Sequence, residues 1–214
     1  DIPQALIQKT TGEESTVSYH SERHVQVKTD VLNLTIDTLG GDIVKLILPQ
    51  FAEDQKTYGE GYLLLDQSPK RYYVAQSGLA GEHGPDIRGV GRGKLEASQK
   101  MYQLEDNQNE LKVDLRTRTH HGVEITKRFL FYRGSYVIDV EYLIHNKGNE
   151  HYKGNFYARL KRKDQDGSSN GFLGIQTFTG AAIHTPETPY KKISFKDIQE
   201  KPLEQSIQGG FAAM

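Results

Sequence analysis

Histidine is the residue type in this sequence best suited to chemistry, because an imidazole can bind a metal or exchange a proton near neutral pH. The chain has eight histidines and no cysteine, so disulfides, thiolate nucleophiles and cysteine-based metal sites are excluded. His120 and His121 are adjacent, and neighbouring strand residues point to opposite faces, so these two cannot chelate one ion together. The other six are scattered without the spacing of a metal site. We therefore predict no metal site from the spacing.

Two short motifs look like ligand-binding loops but lack the sequence context that such loops need. Residues 89–93 read GVGRG, yet a phosphate-binding loop opens a helix, and no helical pattern follows Lys94. Residues 164–170 read DQDGSSN, but an EF-hand has glycine at its sixth position and glutamate at its twelfth. Here Gly167 is fourth and Ile175 is twelfth. We predict a flexible loop for the first motif and a polar turn for the second.

The elements that would position any site begin with the stretch 25–49, which predicts two antiparallel strands. Apart from the apolar pair at its start, apolar and polar residues alternate through 31–37, as in a half-buried strand. Gly40 and Gly41 can supply the positive φ angles that a short hairpin turn requires. The return strand, 43–48, is apolar enough to be buried.

The rest of the chain predicts short strands joined by turns, with one modest helix over 195–201. The glycine-rich stretch 77–94 is predicted to be a long connection. The further strand candidates are residues 62–65, 71–76, 110–119, 123–132, 136–144, 152–160, 177–184 and 191–195. So many short strands predict an all-β protein and favour a β-sandwich.

Composition bounds the class of protein without deciding a function. At 214 residues the chain can bury one sizeable core, and its net charge of −1 gives no electrostatic case for binding nucleic acid. No apolar run approaches the ~20 residues that span a bilayer, and no signal-peptide pattern is present. Residues 1–23 are polar and aperiodic, which predicts a linker or loosely attached arm.

Seven sequence blocks carry a resemblance to a known family: VKTDVLNLTIDTLGGDIVKLILP (27–49), AQSGLAGEHGPD (75–86), NELKV (109–113), KRFLFYRGSYVIDVEY (127–142), DGSSN (166–170), TFTGAAIHTP (177–186) and GGFAAM (209–214). In this order they resemble the large periplasmic domain of the YidC family of bacterial inner-membrane protein insertases. Together they span about nine-tenths of the chain and leave out roughly the first two dozen residues. In the last block the family commonly has Trp where this sequence has Phe211, which keeps the apolar bulk.

The resemblance implies a fold and a function. The implied fold is an all-β β-supersandwich, similar to galactose mutarotase, over residues 24–214, with at most one or two short helices. The implied protein is an inner-membrane insertase that inserts and folds membrane proteins, alone or with the Sec translocon, and carries this domain in the periplasm. Insertion is non-covalent and uses membrane helices, so the resemblance implies no catalytic residue, no cofactor and no metal.

The resemblance also implies partners: Sec translocon components (SecD, SecF and SecYEG) and membrane-protein substrates, but no nucleic acid. Contact is expected through the C-terminal segment and an exposed sheet face or cleft. The residues that we expect to contact partners are Ile175, Phe178, Tyr190, Phe195 and Phe211. More strands follow the last block in the family, so we also expect an unpaired strand edge and a dimer formed through it.

Two alternative functions stay open at this point. One is a sandwich whose cleft binds a peptide or a glycan, through edge-strand pairing in the case of a peptide. The other is a mutarotase-like enzyme, which needs a histidine general acid and a carboxylate general base facing a sugar. His145, His151 and His184 lie near predicted strand ends, but the sequence dictates no pairing with a carboxylate.

Overall fold

A computed structural model of the chain describes residues 22–52, 59–87, 89–163, 178, 180–201, 203–204, 206 and 212–214. The chain divides into two compact units, which we call unit 1 (Asp1–Arg162) and unit 2 (Lys163–Met214). Within the described ranges, no helix is long and apolar enough to cross a membrane.

The described residues of unit 1 form two β-sheets. The first has the strand order β11-β5-β3-β2-β1-β7, with β4 also paired to β3, and the second has the order β10-β9-β8-β6. The pairs are antiparallel except for β1 with β7. The strands are β1 (His24–Lys28), β2 (Asn33–Asp37), β3 (Asp42–Leu48), β4 (Tyr62–Leu65), β5 (Tyr73–Ala80), β6 (Glu96–Ala97), β7 (Met101–Gln103), β8 (Glu110–Arg118), β9 (Val123–Tyr132), β10 (Ile138–Asn146) and β11 (Asn155–Arg162).

The two sheets enclose one main hydrophobic core. Val25 and Ile36 of the first sheet and Val113, Phe129 and Phe131 of the second are at most 1% exposed and belong to the same buried cluster. Burying each such side chain contributes about 1.5–3 kcal/mol, and alternate residues of each strand reach the core because side chains alternate across a sheet. The prediction of an all-β sandwich is confirmed for this unit.

The stretch 25–49 differs from its prediction by one strand. It forms β1, β2 and β3, because residues 29–32 make a tight turn where one continuous strand was expected. The Thr29 hydroxyl accepts hydrogen bonds from the backbone N–H groups of Val31 and Leu32. The side chains of these two turn residues are buried in the core. The expected turn at Gly40 and Gly41 is confirmed, with φ angles of 84° and 63°.

The connection predicted over 77–94 begins later than expected. Strand β5 continues to Ala80, because β11 pairs with it along its full length, from Asn155 opposite Ala80 to Arg162 opposite Tyr73. The sequence at 77–80 has a glycine and no alternation of apolar and polar residues, whereas the partner strand supplies the backbone hydrogen bonds that keep this segment extended.

The described residues of unit 2 form a sheet of order β13-β12-β14 and one helix. Helix α1 (Phe195–Glu200) confirms the predicted helix. Ser194 caps the start of the helix. Its hydroxyl accepts a hydrogen bond from the backbone N–H of Asp197, while the Asp197 carboxylate accepts one from the backbone N–H of Ser194. The strands of unit 2 are β12 (Gly180–His184), β13 (Lys191–Ser194) and β14 (Ala212–Ala213).

Candidate functional site

The structure brings two of the expected partner-contact residues together in unit 2. Phe178 is 43% exposed and Tyr190 is 61% exposed. The Lys192 ammonium lies 5.1 Å from the centroid of the Phe178 ring and 5.7 Å from that of Tyr190. Such cation–π contacts are worth roughly 0.5–1 kcal/mol at an exposed site. We call Phe178, Tyr190 and Lys192 the aromatic–lysine surface.

The turn between β12 and β13 presents this surface. Thr185 is 1% exposed, and its backbone N–H and hydroxyl are both bonded to Thr188, which closes the turn. The chain then reaches Tyr190 immediately before β13. Phe195 is half-buried at the first position of α1. The expectations for Ile175 and Phe211 lie outside the described residues.

A second group of polar residues is buried in unit 1, centred on Lys127 of β9. Its ammonium is 1% exposed and donates to the carbonyl oxygens of Gly40 at 3.1 Å, Gly41 at 2.7 Å and Ser77 at 2.9 Å. These three carbonyls belong to the β2–β3 turn and to β5. Strands β3 and β5 are paired at Ile43 and Ala75. Lys127 adds a second connection, between the turn that precedes β3 and strand β5.

Arg92 donates to two of the same carbonyls. Its Nη2 bonds the carbonyl oxygens of Gly40 at 3.0 Å and Ser77 at 2.9 Å and also the Asp42 carboxylate, while Nη1 bonds Asp86 at 2.6 Å. The loop predicted to be flexible at 89–93 therefore carries a side chain that is only 10% exposed and bound to both carboxylates.

The buried network contains two basic side chains, Lys127 and Arg92, and two acidic ones, Asp42 and Asp86. Desolvation lowers the pKa of Lys127 to about 7, although Asp42 opposes that shift. Burial also raises the pKa of the Asp42 carboxyl, against the attraction of Arg92. The three carbonyl acceptors match the three N–H groups of an ammonium, whereas a neutral amine would leave one of them unsatisfied.

The arrangement of this network is suited to holding the structure together. All three N–H groups of Lys127 are already donated to carbonyls of the chain, so the amine has no free position for a substrate. The phenol of Tyr157 also donates to Asp86, at 2.9 Å. We interpret the network as a polar link between the β2–β3 turn, β5 and the loop that carries Arg92.

A third group lies at one end of unit 1, around an open pocket of about 220 Å³. It contains His83, His121 and Glu150, each of which offers a ligand atom within 4.8 Å of the others. The His83 side chain is 5% exposed and that of Glu150 is 76% exposed. The two imidazole rings lie with their centroids 4.5 Å apart.

The histidines considered for mutarotase-like chemistry do not form such a cluster. His145 Nδ1 lies 4.0 Å from the Glu124 carboxylate, but the His145 side chain is 73% exposed. A hydrogen bond from Lys147 lowers the pKa of Glu124, which makes that carboxylate a weaker base. His151 is exposed, and His184 is exposed and bonded to the Pro189 carbonyl.

Comparison with known proteins gives the chain its family. A family model described as the YidC periplasmic domain matches residues 24–214. The chain belongs to the YidC periplasmic domain family. Proteins named "Membrane protein insertase YidC" are 44% identical in Pseudomonas putida and 43% identical in Pseudomonas fluorescens, each over 214 residues that cover 100% of this chain and 38% of the relative. The Pseudomonas aeruginosa protein of the same name is 42% identical over 215 residues, covering 90% of this chain and 37% of that protein.

The family resemblance inferred from the seven sequence blocks is thus confirmed, and so is the all-β class of this YidC domain. The supersandwich label stays a prediction. The chain spans 38% of the length of the first relatives, so it corresponds to a part of those insertases.

Neither polar group in unit 1 was predicted from the sequence. One signal for the buried network was available, since Lys127 falls in the buried phase of β9, between Ile125 and Phe129. A lysine at that position of an alternating strand needs acceptors inside the core. The cluster of His83, His121 and Glu150 left no such signal, because its members are far apart along the chain.

Proposed function

We propose that this chain is a non-catalytic, partner-binding domain of a YidC insertase, held on the periplasmic side of the bacterial inner membrane. The family and the relatives' name support the insertase and membrane-protein substrates. Cooperation with the Sec translocon, through SecD, SecF or SecYEG, and a role in folding substrates are further parts of the proposal.

The observation that carries partner binding is the aromatic–lysine surface of unit 2. Phe178 and Tyr190 expose large aromatic faces, and Lys192 adds a charge beside both rings. Tyrosine and phenylalanine are enriched at protein interfaces, because they bury much area with few rotatable bonds. The surface lies in the C-terminal segment where contacts were expected.

Site-specific photo-crosslinking in membranes tests this proposal with the full-length insertase. A photoreactive phenylalanine analogue replaces Phe178 or Tyr190, and the matched control replaces Tyr136, which is 42% exposed in unit 1. We expect crosslinks to Sec components from the two positions in unit 2 and not from the control. Equal crosslinking from all three positions would contradict the assigned surface.

We also propose self-association through the strand edges of unit 1. In the described part of the chain, β10 and β11 each end a sheet. The ring centroids of Tyr142 in β10 and Phe156 in β11 are 5.7 Å apart, which places the two edges side by side. Ile144, Phe156 and Leu160 on these strands are 41%, 59% and 47% exposed, so an apolar surface adjoins unpaired backbone groups.

A further inference from the structure

The cluster of His83, His121 and Glu150 is assembled by three connections of unit 1. His83 follows β5, His121 lies in the turn between β8 and β9, and Glu150 lies between β10 and β11. The close packing depends on Gly148, because a Cβ there would lie 2.7 Å from the carbonyl oxygen of His121. The absence of a side chain at 148 therefore lets the β8–β9 turn approach the segment that carries Glu150.

Two imidazole nitrogens and one carboxylate oxygen form a donor set that zinc takes in proteins with an open fourth position. Ligand atoms on one zinc ion lie roughly 3.3 Å apart, as follows from bonds of about 2.0–2.1 Å in a tetrahedron. In this structure the three ligand atoms lie within 4.8 Å of one another, and His83 Nε2 is 3.5 Å from the Glu150 carboxylate. His121 and Glu150 are exposed and can move inward, whereas His83 is fixed by packing. The pocket beside them has room for a water molecule as the fourth ligand.

One contact opposes metal binding. The Lys153 backbone N–H donates to Nδ1 of His83 at 3.0 Å, so the neutral ring carries its proton on Nε2, which faces Glu150 at 3.5 Å. Coordination through Nε2 requires the other tautomer, in which Nδ1–H would face the N–H of Lys153. A metal-binding histidine usually donates its second ring N–H to an acceptor. Here the group that faces the second nitrogen of His83 is itself a donor, the Lys153 N–H.

Whether the site can bind a metal depends on the free-energy cost of this change of tautomer. Losing one hydrogen bond of this kind, or a supporting contact behind a metal ligand, weakens binding about 10- to 100-fold. The remaining link between the two segments, from the His83 backbone N–H to the Lys153 carbonyl at 3.2 Å, is unaffected by the tautomer. A three-ligand zinc site can lose that much affinity and still bind.

We propose that His83, His121 and Glu150 form a binding site for a divalent transition-metal ion of the zinc type. The metal replaces the proton on His83 Nε2, and that imidazole then carries its proton on Nδ1. The Lys153 amide loses its acceptor in the same step. The site does not depend on the proposed insertase role.

A zinc titration of the untagged 214-residue chain, followed by calorimetry and by NMR of the backbone amides and imidazole nitrogens, tests the proposal. We expect one equivalent of zinc to bind. His121→Asn and Glu150→Gln should each weaken binding at least about tenfold. The matched control is His120→Asn, which removes an exposed histidine next to the site. Both ligand variants change exposed side chains, so the fold should persist, and circular dichroism verifies this.

The NMR readout separates the three-ligand site from zinc on surface groups. Zinc at the proposed site must move the His83 proton from Nε2 to Nδ1 and shift the Lys153 amide resonance. Zinc uptake without those changes would show binding to His121 and Glu150 alone and would overturn the proposal. An equal loss of affinity in His120→Asn would overturn it, as would no saturable binding up to about 1 mM zinc.

Discussion

At the scale of single residues, Lys127 shows how a charge can be buried in a β-sandwich core. Its ammonium is surrounded by carbonyl oxygens and lies 5.2 Å from the centroid of the Phe129 ring. Desolvating an ammonium costs several kcal/mol, and only multiple hydrogen bonds and nearby carboxylates such as Asp42 can offset that cost. The same contacts join β9 to the β2–β3 turn and to β5.

Replacing Lys127 with methionine should therefore destabilise the protein despite the gain in apolar character. The carbonyls of Gly40, Gly41 and Ser77 would lose this donor, and Asp42 would lose a nearby cation. We expect the free energy of unfolding to fall by about 3 kcal/mol, measured by urea denaturation near neutral pH. Lys112→Met, which removes an exposed lysine from neighbouring β8, is the control and should change stability little. Similar losses in both variants would contradict the link.

The lowered pKa of Lys127 also predicts a pH dependence of stability. The folded-state pKa of Lys127 is about 7, whereas an ordinary lysine side chain has a pKa of 10.5, so the unfolded chain binds more protons between these limits. The free energy of unfolding should therefore rise with pH across that window. Urea denaturation between roughly pH 7 and 9.5 measures it and stays below the range where Tyr142, with its pKa raised to about 12, contributes. Lys127→Met should lack this rise, and an unchanged slope in that variant would contradict the assignment.

At the scale of elements, the β2–β3 turn determines how the sandwich accommodates its polar link. Gly40 and Gly41 both have positive φ, which directs their carbonyls towards Lys127. A Cβ at Gly40 would overlap the Arg92 guanidinium, so this glycine is needed for space as well as for its backbone angle. The turn and the loop containing Arg92 therefore form one packed structure.

Gly40→Ala should cost more stability than Gly134→Ala. Both glycines have positive φ, at 84° and 70°, so both substitutions incur about 1–2 kcal/mol of backbone strain. Only at Gly40 must the new methyl group also displace Arg92, whereas a Cβ at Gly134 meets nothing within 4 Å. Thermal unfolding of the two variants measures the difference. Equal melting temperatures would show that Arg92 does not depend on this turn.

At the scale of the whole molecule, the two units differ in what they offer to other proteins. Unit 1 has a closed core but apolar side chains beside the edges of β10 and β11. Unit 2 presents the aromatic–lysine surface next to a short, capped helix. Each surface supports a different kind of contact, the first with another strand edge and the second with side chains of a partner.

The edge surface predicts self-association that depends on concentration. Phe156→Lys or Leu160→Lys should shift sedimentation-equilibrium profiles towards the monomer, because a charge next to an unpaired edge disfavours strand pairing. Val90→Lys is the control, since Val90 is 79% exposed and belongs to a loop rather than to either edge strand. A protein that stays monomeric at high concentration would contradict the dimer, and an equal effect of Val90→Lys would contradict its location.

The sequence by itself determined most of the longer strands, most of the turns and the family. Alternation of apolar and polar residues marks β2, β8 and β9 because each strand has one buried face, and the capping residues around Ser194 mark α1. These patterns involve residues that are close together in the chain, so they can be recognised from the sequence alone. The boundary of β5 was not predictable, because its last residues are held extended by β11, more than seventy positions away.

Only the tertiary structure decided the polar link and the histidine cluster. Lys127 contacts carbonyls 86 and 87 positions away, and Arg92 reaches Asp42 from 50 positions away. His83 and Glu150 meet because the connections at one end of a two-sheet fold converge. Hydrogen bonds and ion pairs depend on distance in space, and the fold sets that distance by pairing strands that are remote in the sequence. Residue spacing along the chain therefore did not predict the polar link or the histidine cluster. The one indication in the sequence was a lysine at a buried position of β9.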